Sequence, residues 1–112
     1  RIIGKVNELR LHQTYNVIKN AKCFVGVDSA PLHIASCTET PLVAFFTETK
    51  GIYREPRNRK AKHISIASNI DCYGCLEKYL KPGQDYNCHR GDNECINRFD
   101  STEVVQNIIS LL

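Results

Sequence analysis

Two stretches of the sequence hold residue types that could do chemistry. One is Asp28-Ser29-Ala30-Pro31-Leu32-His33-Ile34-Ala35, and the other is a set of four cysteines, Cys72, Cys75, Cys88 and Cys95, within 24 residues. In the first, small side chains at positions 29 and 30 let a ligand approach the backbone. If a helix starts here, its first N–H groups and its dipole favour a phosphate or pyrophosphate. Asp28 carries a charge unsuited to phosphate but suited to sugar hydroxyls, which donate charge-assisted hydrogen bonds to a carboxylate. His33 could donate to a phosphate oxygen through a ring nitrogen. An ordinary structural role accounts for the same residues: Asp28 or Ser29 as an N-cap, Pro31 in the first turn, and His33 as a partly buried, satisfied histidine.

The second stretch runs Cys-x2-Cys, then twelve residues, Cys, six residues, Cys. The tight first pair forms a knuckle whose thiolates can face one ion, and Gly74 eases its turn. Four thiolates would close a tetrahedral structural site, with zinc or iron as the expected occupant. Two disulfides, or four reduced thiols without an ion, are the alternatives. His89 could substitute as a ligand, although next to Cys88 it reads better as a surface residue. Cys23 and Cys37 lie in apolar segments and read as small buried hydrophobes.

The elements that must position these groups follow from periodicity. Residues 1–6 resemble the end of a strand. From about Asn7 to Ala21, Leu11, Tyr15 and Ile18 recur at helical steps. Cys23–Val27 is a short apolar run, as expected of a strand covered on both faces. Pro31 suits the start of a helix that runs to about Cys37. Leu42–Phe46 is a second buried strand, 47–61 a charged loop, and His63–Ile66 a further strand. Gly74, Pro82-Gly83 and Gly91 keep the cysteine region irregular. Asp100 with Glu103 caps a last helix, in which Val104, Val105, Ile108, Ile109 and Leu112 make an apolar face. Alternating strands and helices predict an α/β fold, a Rossmann-like parallel sheet flanked by helices. Ligands of such sheets bind beyond the carboxyl ends of the strands, which points at the turn after Val27.

Composition bounds the function. With 112 residues, 42% hydrophobic and 24% charged, the chain supports one domain with a modest core. No apolar run approaches the roughly 20 residues of a membrane-spanning helix, and no signal peptide opens the sequence. The chain contains no methionine and starts in mid-pattern, so it reads as a piece of a longer protein. A net charge of +3 is too mild for a typical nucleic-acid binder, and none is expected as a partner. Arg54, Arg57, Arg59, Lys60 and Lys62 read as a solvated loop in preference to an anion-binding surface.

The stretch Val25–Ala35, followed by Thr40-Pro41-Leu42-Val43-Ala44-Phe45-Phe46, resembles the donor-site motif of glycosyltransferase family nine, the heptosyltransferases. That motif reads roughly Asp-Ser/Thr-Gly-Pro-x-His-x-Ala, then Thr-Pro-x-Val-Ala-Phe-Gly. Cys72, Cys75, Cys88, Cys95-Ile96 and Val104-Val105 look like the family's later cysteine segment and final helix. The segment is similar to the iron-binding cysteine finger of a branch that glycosylates autotransporter proteins. The resemblance implies the C-terminal, nucleotide-sugar-binding lobe of a two-lobed GT-B enzyme over 1–112, with a cysteine finger at 70–96 and a terminal helix at 101–112. It implies a nucleotide-diphosphate sugar of the ADP-heptose type as donor, a glycan or protein hydroxyl as acceptor, transfer with inversion, and a cytoplasmic setting. Asp28 would contact the transferred sugar, the amides of Ser29, Ala30 and Leu32 would lie along the diphosphate, and His33 would sit near it. The catalytic base belongs to the N-terminal lobe, so no catalytic residue is expected in this chain, which alone would be inactive. No divalent metal is implied for the transfer, since no Asp-x-Asp pair lies near the turn. Two positions depart from the motif: Ala30 and Thr47 stand where the family has glycine, which tolerates positive φ and close approach more readily. The competing expectation is a metal-knuckle module that binds protein or nucleic acid, which leaves the α/β core and the 28–33 turn unexplained.

Overall fold

Pro41 followed by five apolar residues produces the most deeply buried element of the protein. In the computed structural model, which describes residues 1–57, 60–83 and 85–112, this is β2, Leu42–Phe46. It lies between β1 (Phe24–Val27) and β3 (His63–Ala67) in an all-parallel sheet of order β1-β2-β3. Register places Val25 beside Val43 and Val27 beside Phe45, and on the other side Val43 beside Ile64.

Alternation along the strands sorts the sheet's two faces. Leu42, Ala44 and Phe46 point toward α1 (Leu11–Lys19) and α2 (Ala30–Ser36), where Ile18, Leu32 and Ala35 complete the core. Phe46 and Leu32 are essentially sealed from water, and burying each such side chain stabilises by about 1.5–3 kcal/mol. Gly26 leaves room on this face for the Phe24 ring, whose Cζ would stand 2.7 Å from a Cβ at that position. The Thr40 hydroxyl, also buried, donates to the Ile18 carbonyl at 2.9 Å and closes the end of α1 onto the sheet.

The opposite face is covered by α5 (Ser101–Leu111), which packs on β2. Phe99, just before it, meets Phe45 edge to face at 4.9 Å. Asp100 caps α5, its carboxylate accepting the Thr102 N–H at 2.8 Å. A single turn, α3 (Gly51–Arg54), interrupts the loop between β2 and β3. After β3 come α4 (Cys75–Tyr79) and a 3-10 helix, Glu94–Arg98.

Several expectations are corrected. Residues 1–6 form no strand, and Ile2 and Val6 are exposed, because no neighbouring strand offers them a ladder. The first helix begins at Leu11, not Asn7, where a positive φ of 56° breaks the helical path. β1 is not covered on both faces: Val25 is 44% and Val27 55% exposed. The strand pairs with β2 alone, and among the described residues nothing pairs with its other edge. The apolar face of α5 divides, with Val104 and Ile108 half-buried and Val105, Ile109 and Leu112 exposed. Cys37 is exposed at the end of α2, its thiol directed at the His33 carbonyl, whereas Cys23 is half-buried. No described helix is long and apolar enough to cross a membrane.

Candidate functional site

The turn at 28–33 leaves the carboxyl end of β1 and enters α2, as the sequence predicts. Ser29 occupies the N-cap position in extended conformation, but its hydroxyl turns back to the Val27 carbonyl at 3.2 Å and caps no helical amide. The first-turn carbonyl of Ser29 accepts the N–H of Leu32 at 3.0 Å and of His33 at 3.4 Å. Leu32 N–H is therefore already engaged, and the Leu32 side chain is buried in the core. Pro31 has no N–H. The amides of Ser29 and Ala30 have no backbone acceptor among the described residues.

Asp28 is the buried partner in this turn. Its side chain is 9% exposed, and Oδ1 lies 3.4 Å from Nε2 of His33, which is 53% exposed. A carboxylate nearly removed from water can receive hydroxyl donors, while the half-open imidazole beside it can lend a ring N–H to an acceptor. Ala30 and Pro31 are exposed, so among the described residues no protein segment plugs the helix start. The glycine departures carry no backbone strain. Neither Ala30 nor Thr47 has a positive φ, which among described non-glycine residues occurs only at Asn7 and Asn93.

The four cysteines gather at the same end of the sheet. Gly74 N–H donates to the Thr47 carbonyl at 3.0 Å and Leu76 N–H to the Glu48 carbonyl at 2.8 Å, docking α4 on the segment that follows β2. The buried Ser68 hydroxyl, just past β3, donates to the Cys95 carbonyl at 2.7 Å. Gly74 takes φ +75°, the left-handed conformation that the Cys72–Cys75 turn requires. Cys72, Cys75, Cys88 and Cys95 all line one cavity of about 220 Å³, together with Thr47, Glu48 and Tyr86.

All four thiols are free, and among the described residues no three His, Cys, Asp or Glu side chains are arranged to hold a metal ion. The expected tetrahedral set is thus assembled around one space without converging on one point. Part of the reason is visible at Cys75, whose sulfur is 2.7 Å from the Tyr86 hydroxyl and so is held by a protein partner. The thiols differ in character. The Asn93 N–H, ahead of those of Arg90, Gly91 and Asp92, holds Cys88 below the usual thiol range against the opposing effect of burial. Burial, followed by the charges of Glu48 and the other three cysteines, pushes Cys95 up. Burial and the Cys75 hydrogen bond push the Tyr86 phenol up as well.

Sequence reasoning missed Tyr86, since nothing in the spacing ties residue 86 to residue 75. It also missed Arg90, which bridges Asp92 at 3.2 Å and Asp71 at 3.4 Å across the loop. His89 is exposed, as expected, and its ring lies 4.7 Å from that of Tyr79. In the basic stretch, Arg54, Arg57, Lys60 and Lys62 are exposed, and Arg59 lies outside the described residues.

Comparison with known proteins adds an independent finding. A family model described as "Glycosyltransferase family 9 (heptosyltransferase)" matches residues 3–83. That span contains the whole sheet, the 28–33 turn, Cys72 and Cys75, and ends before Cys88 and Cys95. A "Lipopolysaccharide heptosyltransferase 3" of Escherichia coli is 48% identical over 85 residues, covering 57% of this chain and 25% of that protein. Another protein of that name, from Escherichia coli strain K12, is 36% identical over 100 residues, covering 70% of this chain and 29% of its own. The chain thus spans little more than a quarter of the length of these relatives. No solved structure gives a significant match.

Proposed function

The chain belongs to glycosyltransferase family 9, the heptosyltransferases, and from that premise we propose that it forms the C-terminal, donor-binding lobe of a GT-B enzyme. The donor is a nucleotide-diphosphate sugar of the ADP-heptose type, and the acceptor is a hydroxyl. The observation that carries this reading is the pairing of a nearly buried Asp28 with His33 at the open start of α2. In this reading the Asp28 carboxylate accepts hydrogen bonds from hydroxyls of the transferred sugar. The amides of Ser29 and Ala30 face the diphosphate, and Leu32 N–H is shared between it and the Ser29 carbonyl. His33 donates to a phosphate oxygen from the same side.

The acceptor oxygen attacks the anomeric carbon as the bond to the leaving diphosphate breaks, so the sugar inverts. Negative charge grows on the departing nucleotide, and N–H donors already fixed in the turn stabilise it without reorganising. The proton of the acceptor hydroxyl passes to a base on the N-terminal lobe.

The four cysteines suit a structural zinc or iron ion by donor type, and we assign them that role in the whole protein. Binding would draw the thiolates inward and release Cys75 from Tyr86. The ion takes no part in the transfer. Metal analysis of the purified full-length protein should find one zinc or iron per chain, with four thiols becoming reactive on chelation. Full thiol reactivity with no bound metal removes this assignment.

Calorimetry on the full-length protein tests the donor site. ADP and ADP-sugars should bind, and Asp28→Ala should weaken the ADP-sugar by about tenfold or more, since hydrogen bonds to a charged group contribute about 1.5–3 kcal/mol. His33→Ala should weaken ADP itself. If both variants bind both ligands as the wild type does, the donor site lies elsewhere.

A further inference from the structure

A second hollow, of about 180 Å³, opens beside the cysteine cavity and is lined by Tyr79, Leu80, Asp85, Tyr86, Asn87 and His89. Tyr86 lines both spaces and forms their shared wall. Tyr79 and Tyr86 are 47% and 36% exposed, and the His89 ring lies against Tyr79 at a tilt of 39°. Lys78 Nζ stands 5.0 Å from the Tyr79 ring centre. Among the described residues, no hydrogen bond or ion pair holds the side chains of Asp85 or Asn87.

This lining selects by chemistry. The rings of Tyr79, Tyr86 and His89 in the lining offer apolar surface, while the carboxyl of Asp85 and the amide of Asn87 offer an acceptor and a donor. Among the described residues the lining itself holds the carboxyl of Asp85 and no lysine or arginine, and Lys78 Nζ stands over the Tyr79 ring. A peptide side chain would satisfy the rings or the polar groups, but seldom both. A sugar ring does both, with C–H faces for the aromatic wall and vicinal hydroxyls for Asp85 and Asn87. The hollow has room for a single ring. It also lies on the loop that docks at Thr47 and Glu48, beyond the carboxyl end of β2, the same end of the sheet as the Asp28–His33 turn.

We propose that this aromatic hollow is a saccharide subsite that holds one sugar ring of the acceptor glycan. The inference rests on the transferase reading for its role, but the binding itself is separable from that reading. The test uses the full-length protein and a delipidated lipopolysaccharide core oligosaccharide as probe, in saturation-transfer NMR and in a transfer assay with ADP-heptose. Tyr79→Ala should raise the KM for the oligosaccharide about five- to tenfold and diminish saturation transfer, because a ring contact is lost. The kcat and the KM for the donor should stay unchanged, and Tyr79→Phe, which keeps the ring, should match the wild type. Circular dichroism checks that the variant folds, and Asn87→Ala, on the opposite kind of contact, should show a smaller rise if Tyr79→Ala does not. Loss of saturation transfer in Tyr79→Ala without any transferase activity would sink the donor reading and leave the saccharide subsite standing. Unchanged KM and undiminished saturation transfer in both variants overturn the proposal. So does competition by an unglycosylated Ser/Thr peptide that is lost in Tyr79→Ala, since the hollow would then read protein.

Discussion

The sheet, residues 24–67, and the cysteine loop, 71–98, are neighbours built on opposite principles. In the sheet, Leu32, Val43 and Phe46 are almost wholly buried, and parallel pairing ties each strand to the next. In the loop, Gly74 and Cys75 are the only residues that reach the buried class among those described. The loop instead holds its shape by left-handed turns at Gly74, Gly83, Gly91 and Asn93, and by bonds to the segments that follow β2 and β3. Burial fixes β2 and the helix residues that pack on it. The second has a few tethers and a cluster of free thiols where a core would be.

The comparison is sharpest where a single change should act on one region alone. Phe46→Ala removes the largest sealed side chain of the sheet and should cost about 3–5 kcal/mol, read as a fall in the denaturation midpoint of the full-length protein. A loss below about 1 kcal/mol would mean that the sheet is not the stable half. Gly74→Ala should cost about 1–2 kcal/mol, because an L-residue must adopt the left-handed turn. Its Cβ would also crowd Lys50 Cγ, on a flexible side chain able to move aside. Hydrogen exchange should then speed up in residues 72–80 and stay slow in β2. Uniform acceleration would contradict the division.

The smallest effect concerns reactivity. In metal-free protein at about pH 7.5, below the ordinary thiol pKa of about 8.5, Cys88 should be alkylated before Cys95. The folded pKa of Cys88 is depressed, so its thiolate adds stability above the unfolded thiol pKa, and that stability is lost as pH falls through the folded value. Cys95 shifts the other way, so the preference should fade as pH rises past both. Mass spectrometry of partly alkylated protein reads the order, and a faster Cys95 would reverse the electrostatic picture.

How much the sequence disclosed follows the same division. β2 was legible to the residue, because Pro41 marks its start and five apolar residues reflect burial on both faces. The Asp100 cap and the strand at 63 were legible for similarly local reasons. Val25 and Val27 look like Val43 in sequence but are exposed, since burial of an edge strand depends on a neighbour that sequence does not display. The adjacency of Asp28 and His33 could be read from the helix start between them, but the engagement of the Leu32 amide could not. In the loop, the four cysteines picked out by spacing line one cavity without converging on a point. Spacing gave no sign that Tyr86 would occupy Cys75, because that contact depends on how an irregular chain folds back.

The unpaired flank of β1 bears on any work with these 112 residues by themselves. An edge strand with no partner strand on this side among the described residues, exposed at Val25 and Val27, is a template on which another polypeptide can lay down hydrogen bonds. Dilution therefore becomes an experimental variable. Light scattering on the separated piece should grow with concentration, and assays of sugar or nucleotide binding belong in the intact protein.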